Sequence, residues 1–132
     1  MTLRLDRKQR LVVPESSIEE GIKALLEYDD WRVFRFGWAI TESGRIVGEK
    51  DSPDLLALRY HALDAFASRQ SAEIVWVEAK SLYRKPTTGQ RLWHIGERRR
   101  GALIWVIGED FKSNIESFLI FYRGSGLMRR PI

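Results

Sequence analysis

Apolar positions recur along the chain at two periods, and the periods divide it into elements. Ile18, Ile22, Leu25 and Leu26 fall on one helical stripe, which Pro14 can open and which should stop near Tyr28-Asp29-Asp30. Residues 31–40 are aromatic and β-branched and read as a strand; 42–44 form a turn, and 45–47 return as a second strand. Residues 72–80 read as a strand. Residues 87–100 read as a helix, with Thr87 and Gln90 at capping-box spacing and Gly101 as its stop. Residues 102–107 are apolar on both faces, the mark of a central strand covered on both sides. Asp110 is placed to cap a last helix over about 111–122, carrying Ile115, Phe118, Leu119 and Tyr122, and the tail 124–132 reads as mobile or ordered by a partner.

The stretch 52–70 fits two patterns. Ser52-Pro53 resembles a helix cap and first helical residue, with Leu55, Leu58, Ala62 and Phe66 as the stripe, while residues 55–58 fit a short buried strand equally well. The order of elements implies an α/β arrangement, helices layered on a central mixed β-sheet.

Composition narrows the class. The 132 residues suffice for one domain with a real core and are too few for two. We expect a single domain over 1–132, with its core at about 13–122 and basic extensions at both ends. Apolar residues make up 44%, so the chain is not of the disordered class. No apolar run approaches the roughly 18 residues of a membrane helix, and residues 1–10 are basic without a signal-peptide core. There is no cysteine, which removes disulfides, thiolate metal sites and a cysteine nucleophile together. A cytoplasmic, intracellular setting and no membrane partner are the expectation.

Net charge is +4, a mild bias compatible with a polyanionic partner. Its distribution says more. Arg84, Lys85, Arg91, Arg98, Arg99 and Arg100 cluster after the strand at 72–80, while acids concentrate in the first third. Each basic cluster taken alone reads first as a solvated face.

Candidate chemistry lies in two short clusters, Pro53-Asp54 and Glu78-Ala79-Lys80. Alternation along a strand points Glu78 and Lys80 the same way. With Asp54 they form the smallest set for metal-assisted hydrolysis of a phosphodiester: two hard carboxylates for Mg²⁺ and an ammonium beside them. The plain alternative is a surface ion pair at a strand end. Against it stands the placement of charge at the end of an apolar strand, which is costly unless used. Glu15 can serve the dipole of the first helix, Gln90 can be only a cap, and His94, one turn later, can face phosphate or water. Nucleotide-binding loops, HExxH motifs and a serine triad are all absent.

Read in order, these residues resemble the PD-(D/E)xK nucleases, and within them the VRR-NUC branch. The series is an early helix with Glu15, a strand with Trp31, a hairpin at Gly44-Arg45, Pro53-Asp54, Glu78-Ala79-Lys80, Gln90 before Trp93-His94, and Gly101-Ala102 before an apolar strand. Ser52 stands where a glycine often precedes the PD pair, and 59–71 looks like an insertion. The resemblance selects strand over helix for 55–58, with loop or short helix after Leu58. It implies a restriction-endonuclease-like fold and Mg²⁺- or Mn²⁺-dependent cleavage of DNA. In that reading Asp54, Glu78 and the Ala79 carbonyl hold the metal, and Glu15 completes the site directly or through water. Lys80 activates the attacking water, and Gln90 joins the catalytic set. Arg84, Lys85, Arg91, His94, Arg98, Arg99 and Arg100 contact DNA. Similarity to Holliday-junction resolvases implies a homodimer acting on branched DNA such as four-way junctions. Phe111, Ile115, Phe118, Leu119, Phe121 and Tyr122 cover more than one face of the last helix and offer the dimer surface. The rival reading is a non-catalytic nucleic-acid-binding or assembly module.

Overall fold

The computed structural model describes residues 4–5, 11–12, 18–61, 71–79 and 86–132. Two short antiparallel strands, β1 (Arg4–Leu5) and β2 (Leu11–Val12), precede helix α1 (Ile18–Tyr28). Strands β3 (Arg32–Arg35), β4 (Trp38–Ile40), β5 (Ile46–Gly48), β6 (Leu55–Tyr60) and β7 (Ala72–Glu78) follow. Helix α2 (Thr88–Arg99), strand β8 (Leu103–Val106) and helix α3 (Ile115–Gly124) complete the chain. The class is mixed α/β, with three helices and a four-stranded mixed sheet among the described residues. No helix among them is long and apolar enough to cross a membrane.

The sheet order is β3-β6-β7-β8, antiparallel at the first two junctions and parallel at the last. Residues 55–58 are strand, as the resemblance requires, and the strand continues through Arg59 and Tyr60 rather than giving way to loop. Pairing on both edges overrides the helical stripe: Leu55, Leu56, Ala57 and Leu58 each face a partner in β3 and another in β7. The parallel β7–β8 pair needs a crossover, and α2 lies between the two strands in sequence.

One sheet face, carrying Leu55, Ala57, Val75, Val77 and Trp105, packs on Ile22, Leu25 and Leu26 of α1 and on Phe118 and Tyr122 of α3. Over the other face Trp93 of α2 meets Trp76 edge-on at 5.0 Å, and Phe36 meets Trp76 at the same distance. Strand β8 is the last in the order, not central. From Ile104 to Val106 both its faces are nevertheless buried: Trp105 packs on Phe118, Phe121 and Tyr122, and α2 also lies against the strand. Apolarity on both faces reports coverage by helices, not neighbours on both edges.

The expected strand at 31–40 breaks at Phe36-Gly37, and its second half leaves the sheet to form the β4–β5 hairpin. Gly37 turns there with φ 32°, and Gly48, φ 80°, passes so close that a β-carbon would sit 2.7 Å from the Gly37 carbonyl oxygen. The last helix starts at Ile115, capped by Asn114, whose carboxamide accepts from the Ser117 N–H at 2.8 Å. Asp110 instead accepts from the Val106 N–H at 2.7 Å.

The tail is fixed, not mobile. Its anchor is Asp29, fully buried at the end of α1. The Asp29 carboxylate accepts from the backbone N–H groups of Arg129 and Arg130 and from the Tyr122 hydroxyl. Arg59, also buried, reaches it at 3.1 Å, bonds the Asp29 and Leu127 carbonyls, pairs with Glu73 at 2.6 Å and lies 4.4 Å over the Trp31 ring. Trp31 in turn donates to the Tyr122 hydroxyl at 2.8 Å. Leu127, Met128 and Ile132 pack on the core, which therefore extends past residue 122.

Burial, reinforced by the Asp29 carboxylate, raises the pKa of the Tyr122 hydroxyl above its ordinary value of 10.0. The folded chain keeps this proton at pH values where the unfolded chain loses it. The stabilisation is complete below about pH 10 and is lost as pH rises through the raised value, by up to about 1.4 kcal/mol per pH unit. Tyr122→Phe should flatten that alkaline slope, which urea midpoints between about pH 9 and 11 would show.

Candidate active site

The antiparallel register decides where the two motifs meet. Leu55 pairs with Val77, so the next positions outward, Asp54 and Glu78, fall side by side. On its other edge Asp54 is held by the Phe36 N–H, which donates to the Asp54 carbonyl at 2.7 Å, while the Gly37 N–H donates to the Pro53 carbonyl at 3.1 Å. The strand break at Phe36-Gly37 thus brackets the Pro53-Asp54 pair. Ser52 is no helix cap: it is buried, and its hydroxyl donates to the Glu49 carbonyl at 2.7 Å.

Asp54 and Glu78 are 7% and 5% exposed, far below what a surface ion pair would show. Asp54 Oδ2 accepts from the Ala79 N–H at 3.1 Å, stitching the two motifs together. Ala79 itself is fully buried at the end of β7, and the Glu78 carbonyl accepts from the Ile107 N–H at 2.8 Å, fixing the strand end to the chain beyond β8.

Helix α2 brings the third member. Thr87 Oγ1 accepts from the Gln90 N–H at 3.2 Å and Gln90 Oε1 accepts from the Thr87 N–H at 2.9 Å, a complete capping box. The other end of the same carboxamide, Nε2, donates to Glu78 Oε1 at 3.4 Å. Gln90 is therefore both cap and neighbour of the carboxylate. Gly89, next to it, leaves room for Asp51: a β-carbon there would lie 2.5 Å from Asp51 Oδ2. That approach of a carboxylate to the first turn of α2, favourable against the helix dipole, is a feature the sequence reading missed; its only local sign is the glycine.

His94 does not face phosphate or solvent. It is 2% exposed, one turn along α2 from Gln90, and its Nε2 lies 3.6 Å from Glu78 Oε2. Both atoms are buried without a hydrogen-bond partner. A histidine at the i+4 position from an inward-facing glutamine has to face inward too, and that spacing was the signal for it.

The remaining basic residues of α2 differ in what they offer. Arg91, Arg98, Arg99 and the C-cap Arg100 are all exposed, but Arg91 and Arg99 differ from the other two in their contacts. Arg98 donates to the Ile104 carbonyl at 3.0 Å, and Arg100 pairs with Glu97. Glu15, Lys80, Arg84 and Lys85 lie outside the described residues. Phe118 and Tyr122 of α3 are fully buried, Phe111 nearly so, and Ile115, Leu119 and Phe121 pack against the core, so the excess apolar surface expected on the last helix is used by the chain itself. Ile120, at 70% exposure, is the large apolar side chain α3 leaves open.

Whether a cation fits is a question of donors. Among the described residues no group of three or more His, Cys, Asp or Glu side chains is gathered closely enough to hold a metal. The orphaned Glu78 Oε2, buried beside Asp54, is nevertheless a hard oxygen of the kind that Mg²⁺ or Mn²⁺ takes. Comparison of the chain with family models, with curated proteins and with solved structures returns no match.

Proposed function

We propose that the chain is a metal-dependent DNA endonuclease of the PD-(D/E)xK type, with a restriction-endonuclease-like fold. The observation that carries this reading is the convergence of Asp54, Glu78 and Gln90 from three separate elements at one buried sheet end, with one oxygen of Glu78 left unsatisfied. A folded domain seldom tolerates an unpartnered buried carboxylate oxygen unless something binds it. Asp54, Glu78 and the Ala79 carbonyl would hold Mg²⁺ or Mn²⁺, with Glu15 supplementing them. When bound, the ion supplies Lewis-acid polarisation of the phosphodiester and a more acidic water. The chain's own parts position this chemistry. The Ala79 N–H orients Asp54, and Gln90 fixes the Glu78 rotamer. Lys80 follows the strand of Glu78, and its ammonium is suited to stabilise charge on the phosphate. Exposed Arg91 and Arg99, with Arg84 and Lys85, would supply salt-dependent phosphate contacts without sequence readout.

The test is cleavage of linear and four-way-junction DNA with and without Mg²⁺ or Mn²⁺. Metal-dependent cutting supports the reading; salt-sensitive binding with no cutting under either metal replaces it with the non-catalytic binding module. Preference for the junction, together with a dimer by light scattering, supports the homodimeric, branched-DNA form: one small domain presents one site, and paired cuts need two related by a two-fold axis.

The two roles of Gln90 separate by mutation. Thr87→Ala removes the cap at a cost of about 1 kcal/mol and should leave cleavage intact. Gln90→Ala should cost similar stability and, by freeing a charge-assisted hydrogen bond on Glu78, slow cleavage about 10–100-fold. Equal rates for the two variants would reduce Gln90 to a cap.

A further inference from the structure

We infer that the sheet face carrying Glu78 continues, over β3 and β6, as a stacking surface for an unpaired DNA strand; the inference rests on DNA being the partner, as proposed above, and names the form in which it is held. Val33, Leu55, Ala57, Val75 and Val77 face the core. Alternation therefore turns Phe34 of β3, Leu58 and Tyr60 of β6, and Ile74, Trp76 and Glu78 of β7 to the opposite face. The carboxylate of the candidate site and a set of large rings thus share one surface.

Helix α2 covers the part of that face over β7 and β8. Its Gln90 and His94 reach Glu78, and its Trp93 reaches Trp76. Beyond them Phe34 is 37% exposed, and Tyr60 and Ile74 are 54% exposed each. Register makes these neighbours. Arg32, Leu58 and Ile74 form one row across three strands, Phe34 lies opposite Leu56, and Tyr60 stands one row further from the site. Phe36 ties the surface to the site: its N–H donates to the Asp54 carbonyl, and its ring meets Trp76 edge-on at 5.0 Å.

Charge selects the occupant. Arg32 is exposed, its guanidinium lies 4.9 Å over the Phe34 ring, and no carboxylate among the described residues pairs with it. At the other end the Arg129 guanidinium donates to the Tyr60 carbonyl at 3.3 Å. Exposed rings and a guanidinium plane without an acid beside it fit a partner that has flat π-faces and a polyanionic backbone, which is a nucleic acid. The bases must be unpaired, because a duplex offers only their edges in its grooves. A second copy of the chain fits less well, since a two-fold contact would set the same arginines against each other.

The experiment is fluorescence anisotropy of the intact protein, without divalent metal, on a labelled oligothymidylate of about 12 nucleotides and on a blunt duplex of the same length. Phe34→Ala and Tyr60→Ala should each weaken the single strand at least about fivefold and the duplex by less than about twofold. The two rings stand about 13 Å apart along the strands, so the double variant should multiply the two losses. Both side chains are exposed, and the melting temperatures of the variants should match that of the parent. Unchanged single-strand binding in the double variant overturns the inference, as do equal losses on both DNAs. A dimer that becomes a monomer in either variant, by light scattering, assigns the face to a second copy and overturns it too. In each of these cases metal-dependent cutting by the parent leaves the nuclease reading standing. Absence of DNA binding by the parent removes that reading and this inference together.

Discussion

Glu78→Gln should abolish most DNA cleavage, by about 10²–10³-fold or more, while leaving the free protein as stable as the parent or slightly more so. The two halves of this expectation have one cause. Glu78 is a buried carboxylate with one oxygen satisfied by Gln90 and the other unsatisfied. The carboxamide keeps the shape and the acceptor for Gln90 Nε2 but removes a charge whose burial opposes folding. A residue kept for the fold loses stability when replaced; one kept for chemistry loses activity and tends to gain stability. Asp54→Asn should behave alike, since its remaining oxygen still accepts from the Ala79 N–H. Divalent metal should raise the melting temperature of the parent and not of either variant, because only a ligand that binds the folded state shifts the equilibrium. Cleavage rates and melting curves of purified variants check both. A variant that cuts at the parental rate, or one whose lost activity merely tracks a collapse in stability, would return the carboxylates to a structural role.

What the sequence disclosed followed the range of the interaction. The capping box was legible because Thr87 and Gln90 meet within one turn, where spacing alone implies geometry. The stripe of α1 and the strand β7 were legible for the same reason. Residues 55–58 were not, because an apolar run that fits both periods is decided by its neighbours, here β3 on one edge and β7 on the other. Within the site, Asp54 and Glu78 were identifiable as residue types, but their adjacency is a consequence of register. The inward turn of His94 needed the face of α2 to be known. Arg59 departs furthest from its sequence pattern, which marks it as the start of an insertion. Its partners Asp29, Glu73 and Leu127 are 30, 14 and 68 residues away, and no local pattern points to them. The tail differs likewise: its sequence reads as mobile or ordered by a partner, but Arg129 and Arg130 use backbone N–H groups, which every non-proline residue has, to reach Asp29.

Asp29→Ala should therefore be among the most destabilising single changes in the described chain, at about 3–5 kcal/mol, against the roughly 5–15 kcal/mol that holds a whole domain folded. The substitution does more than delete an acceptor. It leaves the buried guanidinium of Arg59 without one of its two carboxylates and frees the Tyr122 hydroxyl, and it strands the N–H groups of Arg129 and Arg130. Arg59→Met should cost less than Asp29→Ala. It removes the cation but leaves Asp29 with three neutral donors, and the methionine still covers Trp31 where the guanidinium lay 4.4 Å from the ring. Combining Asp29→Ala with Arg59→Met should fall short of the sum of the two losses, since the second change removes the buried cation that the first left with Glu73 alone. Urea unfolding of the three variants measures this, and limited proteolysis should release the tail beyond Gly126 first in Asp29→Ala. A loss below about 1 kcal/mol would mean that the tail is not held by Asp29 in solution. The network also bears on the site, because β6 begins beside Asp54 and ends at Arg59 and Tyr60, and β7 carries Glu73 near one end and Glu78 at the other. Fastening Arg59 to Glu73 at the far end fixes the register that sets Asp54 beside Glu78, about 17 Å away along the strands. Arg59→Met should then slow cleavage even where the variant stays folded, and a folded variant with parental rates would confine the network to stability alone.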